Sequence, residues 1–188
     1  MSRILSPLAW CHPKAQVGLR SKIGPFAEIG PEAVIGDDCV IHGCVEGKIG
    51  HRTKVWRFAH VMKDAVVGDD CQVCNGAIVL SDARVGDRVD VQLWVGVARL
   101  AVVEDDVFIG PNVVFCNAKH PVRGMSHDNL QRITLRRGCS IGANSSLLAG
   151  IEIGECAVVG AGSVVTKDVP AGGKWVGSKP SLDMEEPA

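Results

Sequence analysis

The chain has 188 residues, a formal net charge of −1 and eight cysteines. That length suits one domain with a continuous core, and the near-zero charge offers no attraction to nucleic acid or to acidic membranes, so neither is expected as a partner. The opening MSRILSPLAW has one basic residue and a short apolar run broken by proline, unlike a secretory signal or a spanning helix, so cytoplasmic residence is expected.

From residue 11 onwards, a large apolar residue recurs every six positions with two interruptions. These anchors are Cys11, Val17, Ile23, Ile29, Ile35, Ile41, Ile49, Val55, Val61, Val67, Val73, Val79, Val85, Val91, Val97, Val103, Ile109, Phe115, Leu135, Ile141, Leu147, Ile153, Val159 and Val165. A six-residue period does not fit the 3.6-residue turn of an α-helix. Residues 1–10 precede the series and are expected to cover the open end of the structure.

A small or short apolar residue stands four places after almost every anchor, as Ala27, Ala65 and Cys71 illustrate. Glycine often follows the anchor directly, where a corner needs close backbone approach. One large and one small inward residue per six positions is the requirement of a narrow, stacked parallel β-coil. The sequence therefore predicts a solenoid over residues 11–169.

Two interruptions break the period. The first is near Gly43 to Lys48, where two residues beyond the period predict a small bulge at a corner. The second separates Phe115 from Leu135 by 20 positions, so a loop centred on residues 117–131 must leave the coil. Residues 170–188 follow the last repeat and are expected to form a short cap and tail.

The pattern resembles that of the hexapeptide-repeat acyltransferases. The resemblance implies an all-β fold, a left-handed parallel β-helix with three hexads per coil, about eight coils, one projecting loop and a short C-terminal cap. It further implies acetyl-CoA as the acyl donor. It also implies a homotrimer whose active sites lie between subunits.

The loop carries the histidine best placed for proton transfer. His120 precedes Pro121, and His120-Pro121-Val122 resembles a His-Pro element of hexapeptide sugar O-acetyltransferases, in which the histidine is the general base. The resemblance implies that role for His120, with Asn117 orienting the imidazole or binding the sugar. Cys116 is expected to serve packing.

A second resemblance covers longer segments. TKVWRFAHV at 53–61 and EDDVFIGPNVVFCN at 104–117 are similar to acetyltransferases acting on amino groups of nucleotide-linked sugars. Where those enzymes carry an asparagine-rich stretch, this chain has Gln92, Leu93 and Trp94, so the sugar is expected to differ. The substrate-binding residues expected from this similarity are Asn75, Gln92, Trp94, Arg123 and Arg132.

Coenzyme A is expected to lie along the late coils, as the resemblance implies. The matching residues are Gly142, Ala143, Gly160, Ala161, Gly162, Lys167 and Lys179. Lysine at the rim of such a groove would meet the phosphates of the coenzyme. Trp56 and Trp94 are expected to pack at an interface between subunits.

The function predicted from these residues is acetyl-CoA-dependent N-acetylation of a nucleotide-linked amino sugar, with sugar O-acetylation as the alternative. Two further alternatives are a non-catalytic scaffold and a γ-carbonic-anhydrase-like protein. The latter needs clustered histidines, but His42, His51 and His60 occupy different places in their hexads. No metal site is therefore predicted, and all eight cysteines, including Cys71 and Cys74 of a C-x-x-C, are expected to be reduced.

Overall fold

The computed structural model describes residues 4–124, 126 and 129–180, and these form an all-β solenoid. Before the long loop the strands are β1 (Ile4–Leu5), β2 (Trp10–Cys11), β3 (Gln16–Val17), β4 (Lys22–Ile23), β5 (Glu28–Ile29), β6 (Val34–Ile35), β7 (Val40–Ile41), β8 (Cys44–Val45), β9 (Lys48–Ile49), β10 (Lys54–Val55), β11 (His60–Val61), β12 (Val66–Val67), β13 (Gln72–Val73), β14 (Ile78–Val79), β15 (Arg84–Val85), β16 (Asp90–Val91), β17 (Gly96–Val97), β18 (Val102–Val103), β19 (Phe108–Ile109) and β20 (Val114–Phe115). After the loop they are β21 (Thr134–Leu135), β22 (Ser140–Ile141), β23 (Ser146–Leu147), β24 (Glu152–Ile153), β25 (Val158–Val159), β26 (Val164–Val165), β27 (Lys174–Val176) and β28 (Lys179–Pro180).

Every third strand belongs to the same sheet, so the molecule has three flat faces. The first face runs from β1 through β4, β7 and onward to β27 and β28, the second from β2 to β26, and the third from β3 to β24. We call the corner between the first and second faces the first edge (for example residues 74–77). The second edge joins the second and third faces (residues 80–83), and the third edge joins the third and first faces (residues 86–89).

The core is a column of anchors stacked one coil above another. In almost every strand the second residue is buried and the first faces outward, as in β13, where Val73 is fully buried and Gln72 is half-buried. The small inward residues are buried as well, and the four polar ones bury their hydroxyl groups: Ser21, Thr53, Ser145 and Ser163. Thr53 Oγ1, for instance, donates to the Gly68 carbonyl at 2.8 Å and accepts from the Cys71 N–H at 3.0 Å. The sequence prediction of a parallel β-helix is confirmed.

Charged side chains line the third edge in register. Three arginine–aspartate pairs, each 18 residues apart along the chain, make two parallel hydrogen bonds: Arg20–Asp38, Arg52–Asp70 and Arg88–Asp106. All six residues have positive φ, which turns their side chains along the edge. The guanidinium of Arg52 holds the pKa of Asp70 below its usual range by hydrogen bonding. Because these pairs are exposed, each contributes little to the free energy of folding. Their spacing of 18 residues is the length of one regular coil.

The structure corrects the bulge predicted near residues 43–48. Ile41, Val45 and Ile49 are all inward and buried, in β7, β8 and β9. The eight positions from Ile41 to Ile49 are therefore two four-residue units, each two residues short, and not a hexad with an insertion. The corners at both ends of β8 lack the usual two turn residues, which leaves β8 recessed at the first and second edges.

The ladder also extends beyond the predicted repeats at both ends. Leu5 in β1 pairs with Ile23 in parallel register, and at the other end β27 pairs with β25. With Leu5 and Val45 added to the anchors, the solenoid has about nine turns instead of about eight. The indole of Trp175 in β27 is buried over the last coil, and its Nε1 donates to the Gly177 carbonyl at 3.0 Å.

None of the eight cysteines, all of which lie in the described residues, forms a disulfide bond, and they fall into two groups by direction. Cys71 is buried inward while Cys74 is on the outer surface, so the C-x-x-C spacing points its two sulfurs to opposite sides of the strand. Burial raises the pKa of the Cys71 thiol to about 11.

Residues 4–124, 126 and 129–180 contain no helix with the length and hydrophobicity of a membrane span.

Candidate active site

The long loop leaves the coil at the second edge, between β20 and β21. Its base is a short antiparallel stem, in which Ala118 bridges to Leu130 and the Gln131 N–H donates to the Asn117 carbonyl at 2.7 Å. The side chain of Asn117 donates from Nδ2 to the Arg99 carbonyl of the preceding coil at 3.3 Å. Asn117 is thus tied to the coil at the point where the loop begins.

His120 lies beyond this stem and is exposed, as are Pro121, Val122 and Arg123. Arg132 is exposed where the chain returns to the coil, and the next residue, Ile133, is fully buried and fixes the end of the loop. The side chains of His120, Arg123 and Arg132 therefore all lie at the second edge, on a loop whose base is hydrogen-bonded to the coil. All three side chains are open to solvent.

The glycines and alanines expected to hold coenzyme A lie together, on the first edge of two adjacent late coils. The Gly142 N–H donates to the Val159 carbonyl at 2.7 Å, and the Gly162 N–H donates to the Ala143 carbonyl at 2.8 Å. A Cβ on Gly142 would lie 2.4 Å from the Ala161 nitrogen, so only glycine permits this approach. At Gly162 a Cβ would meet nothing within 4 Å, which leaves open space beside exposed backbone.

The middle coils bring three of the expected substrate residues to the same first edge. Asn75 is exposed, Gln92 is half-buried, and the Trp94 N–H donates to the Asn75 carbonyl at 3.2 Å. Trp94 is 63% exposed, and its indole lies flat across Gly76, where a Cβ would come within 2.3 Å of the ring. Gly76 is therefore part of this surface, although no sequence pattern pointed to it.

The expected site residues consequently fall on two different edges of the chain. Asn75, Gln92, Trp94 and the glycine-rich corners occupy the first edge, whereas Lys167 shares the second edge with the loop of His120. The full width of the second face separates the two groups. Lys179 lies in β28 at the end of the solenoid, and its side chain is outside the described part of the chain.

Aromatic residues continue the first edge toward the N-terminal coils. Phe26 and Phe58 have positive φ and are 78% and 81% exposed. They lie on either side of the coil formed by β7, β8 and β9, which we call the shortened coil because its two corners at β8 each lack two residues. The recess between them has a volume of about 560 Å³. Trp56 stacks on His42, with ring centroids 6.0 Å apart and an angle of 5° between the ring planes.

A group of metal-binding side chain types, which sequence analysis missed, lies on the shortened coil. Cys44, Glu46 and His60 each offer a ligand atom, and these atoms lie within 4.8 Å of one another. Sequence spacing alone could not show this, because the short corners place residues 16 positions apart side by side, not the usual 18.

Comparison with known proteins gives a match to a family model and to several relatives. Residues 132–167 match the bacterial transferase hexapeptide of six repeats. A stretch of 43 residues is 56% identical to dTDP-3-amino-3,6-dideoxy-alpha-D-galactopyranose 3-N-acetyltransferase of Aneurinibacillus thermoaerophilus and covers 23% of this chain and 22% of that protein. Galactoside O-acetyltransferase of Lactococcus lactis is 37% identical over 85 residues, covering 38% of this chain and 40% of the relative. The chain thus spans less than half of either relative.

Solved structures share the fold over a longer span. A UDP-N-acetylglucosamine acyltransferase superposes with a TM-score of 0.80 at 16% identity, over 93% of this chain and 71% of the other. The corresponding enzyme of Francisella novicida gives a TM-score of 0.77 at 17% identity, over 95% of this chain and 70% of the other. At such low identity the likeness concerns the fold alone.

Proposed function

We propose that this chain, whose repeats match the bacterial transferase hexapeptide, transfers an acetyl group from acetyl-CoA to the amino group of a nucleotide-linked amino sugar. The observation that carries the proposal is the loop at the second edge, which is hydrogen-bonded to the coil through Asn117 and carries the exposed His120. The segment that is 56% identical to an amino-sugar N-acetyltransferase supports the choice of acceptor.

The chemistry requires three functions. The amine lone pair attacks the thioester carbonyl carbon, and His120 accepts the proton that the nitrogen loses as the new C–N bond forms. Backbone N–H groups of the adjoining coils stabilise the negative charge that develops on the carbonyl oxygen. The C–S bond then breaks, and the coenzyme A thiolate leaves with a proton returned by the imidazolium.

The remaining residues bind and position the substrates. Open backbone at Gly142, Ala143, Gly160, Ala161 and Gly162 accommodates the pantetheine chain, and Lys167 and Lys179 pair with phosphates. Asn75, Gln92, Trp94, Arg123 and Arg132 bind the nucleotide sugar. Asn117 acts as a positioning residue for the loop, because its amide is bonded to the Arg99 carbonyl.

Because these groups lie on two edges of one subunit, we propose that the active site forms between subunits of a homotrimer. The first edge of one copy would face the second edge of the next, as in other cyclic assemblies with heterologous interfaces. In that arrangement the exposed Trp94 of one subunit lies at the interface.

Replacing His120 tests the catalytic proposal directly. His120→Ala should lower kcat by about 10²–10⁴-fold and leave the KM for acetyl-CoA nearly unchanged, because the lost group acts on the proton and not on the coenzyme. Lys119→Ala, at the neighbouring exposed position, is the matched control and should keep wild-type kinetics. Release of free thiol from acetyl-CoA is the measurement, and wild-type turnover in His120→Ala would remove His120 from the mechanism.

O-acetylation of a sugar is the second candidate, because the galactoside O-acetyltransferase relative is 37% identical and the loop contains a His-Pro element. The same thiol-release assay separates the two. A panel of UDP- and dTDP-linked amino sugars is compared with their hydroxyl counterparts and with simple galactosides. Faster release with the hydroxyl acceptors would favour the second candidate over the first.

A further inference from the structure

The shortened coil brings polar side chains together on the second face. β8 is paired on one side with β5 and on the other with β11, so Cys44 lies opposite Glu28 and opposite His60. Glu46 follows β8 and points outward, as Cys44 does, because the intervening Val45 is fully buried. The missing corner residues leave this short strand accessible from both edges.

Three different ligand atoms converge there. The sulfur of Cys44, a carboxylate oxygen of Glu46 and an imidazole nitrogen of His60 are mutually within 4.8 Å, and His60 Nε2 lies 3.4 Å from Glu46 Oε1. Tetrahedral zinc with bonds of about 2.0–2.3 Å needs ligand atoms about 3.3–3.7 Å apart. The separation of 3.4 Å between His60 and Glu46 already lies in that range, and none of the three exceeds 4.8 Å.

The imidazole of His60 shows that Cys44, Glu46 and His60 do not satisfy one another's hydrogen-bonding groups. His60 Nε2 is buried, and it has no hydrogen-bond partner among the described residues. A buried nitrogen without a partner normally costs free energy, so a ligand that occupies it is favoured. The side chains of His60 and Glu46 are still 32% and 41% exposed, which leaves a path for an ion.

We propose that Cys44, Glu46 and His60 bind a divalent metal ion of the zinc class. Mixed sulfur, nitrogen and oxygen ligands suit this borderline ion better than magnesium or calcium, which prefer oxygen alone. The three protein ligands leave a fourth position for water or for a molecule in the adjoining recess.

The site is separate from the proposed catalytic loop. On the second face, β11 lies three strands from β20, where the loop of His120 begins, a separation of about 14 Å at the usual strand spacing.

A bound ion would change the electrostatic environment of the Cys44 thiol. Burial and the charges of Glu46 and Glu28 raise the pKa of the Cys44 thiol to about 11, whereas a bound cation would stabilise the thiolate.

Cobalt binding to the full-length chain tests the proposal. Chelator-treated protein is titrated with Co²⁺, and the expected result is one ion per chain, with thiolate-to-cobalt charge-transfer absorption and the intense visible bands of tetrahedral cobalt. Zn²⁺ should displace Co²⁺ and abolish both signals. Wild-type protein that binds no stoichiometric Co²⁺ would overturn the proposal.

Variants identify the ligands. Cys44→Ser should lose the charge-transfer band, and His60→Gln and Glu46→Gln should each weaken binding by more than about tenfold. Cys74→Ser, at a half-buried outer position away from the group, is the matched control and should keep the wild-type spectrum. A charge-transfer band that survives in Cys44→Ser would locate the ion at another thiol and overturn the assignment. Circular dichroism of each variant confirms that it is folded.

Discussion

Neighbouring residues of one strand experience opposite environments in this fold. In β25, Val158 and Val159 have the same side chain, but Val158 is 44% exposed on the first face and Val159 is 1% exposed in the core. The core is only as wide as one large and one small side chain, so a polar atom at the inward position has no route to water. Position within the strand therefore decides the effect of a substitution more than residue type does.

This contrast gives a matched pair of substitutions. Val159→Asp should destabilise the fold by about 4 kcal/mol or more, because it buries a carboxylate without a partner. Val158→Asp should change stability by no more than about 1 kcal/mol, the span of strand preferences at an exposed position. Soluble yield and thermal unfolding are the measurements, and equal effects of the two substitutions would mean that the inward register is wrong.

At the level of elements, the shortened coil is the main departure from regularity. Its two corners are built on Gly43 and Gly47, which are both buried. A Cβ on Gly43 would lie 2.3 Å from the Ala59 carbonyl oxygen and 2.7 Å from that of Trp56. Two backbone oxygens of the next coil therefore close over this corner.

Gly43→Ala should accordingly cost about 1–3 kcal/mol, the usual range for forcing extra atoms into a packed site, and lower Tm by several degrees. Gly96→Ala is the control, because a Cβ there would meet nothing within 4 Å. Differential scanning calorimetry of both variants is the measurement. An unchanged Tm in Gly43→Ala would show that this corner is more open than the structure indicates.

The sequence was enough to predict the coil, but it left the division of the shortened coil into strands and corners ambiguous. The six-residue period predicted the anchors and small residues that are buried, and the matching family model and relatives confirm the resemblance to hexapeptide-repeat acyltransferases. Between Ile41 and Ile49, however, eight positions divide equally well as six plus two or as four plus four. Val45 is inward and apolar in both divisions, so hydrophobicity alone could not choose between them.

The same ambiguity explains what was missed at the candidate sites. Assigning a residue to an edge from sequence requires counting in coils of 18 residues. The two short corners at β8 break that count between residues that precede them and residues that follow them. Cys44 and His60 are neighbours because one of the short corners lies between them and reduces their spacing from 18 residues to 16, which a regular count does not predict. The loop, by contrast, was predictable, since a 20-residue gap in a regular coil can only be an excursion.

For the whole molecule, the decisive feature is that the proposed catalytic loop and the proposed coenzyme groove occupy different edges. His120 is on the second edge, and Ala161 is exposed on the first. Under the proposal above, a site that needs both residues would combine two copies of the chain. The proposal of a shared active site therefore makes a prediction about mixed assemblies that a self-contained subunit would not.

Co-expression of two inactive variants tests it. His120→Ala lacks the base, and Ala161→Arg places a long side chain in the coenzyme groove, so each alone should be nearly inactive. A cyclic trimer that contains both variants pairs an intact first edge with an intact second edge at one of its three sites, so purified mixed trimers should recover about one third of wild-type thiol release. Differently tagged subunits allow the mixed assemblies to be purified, and each variant co-expressed with itself is the control. Because no single subunit in the mixture carries both His120 and an open groove, mixed trimers without activity would confine each active site to one chain.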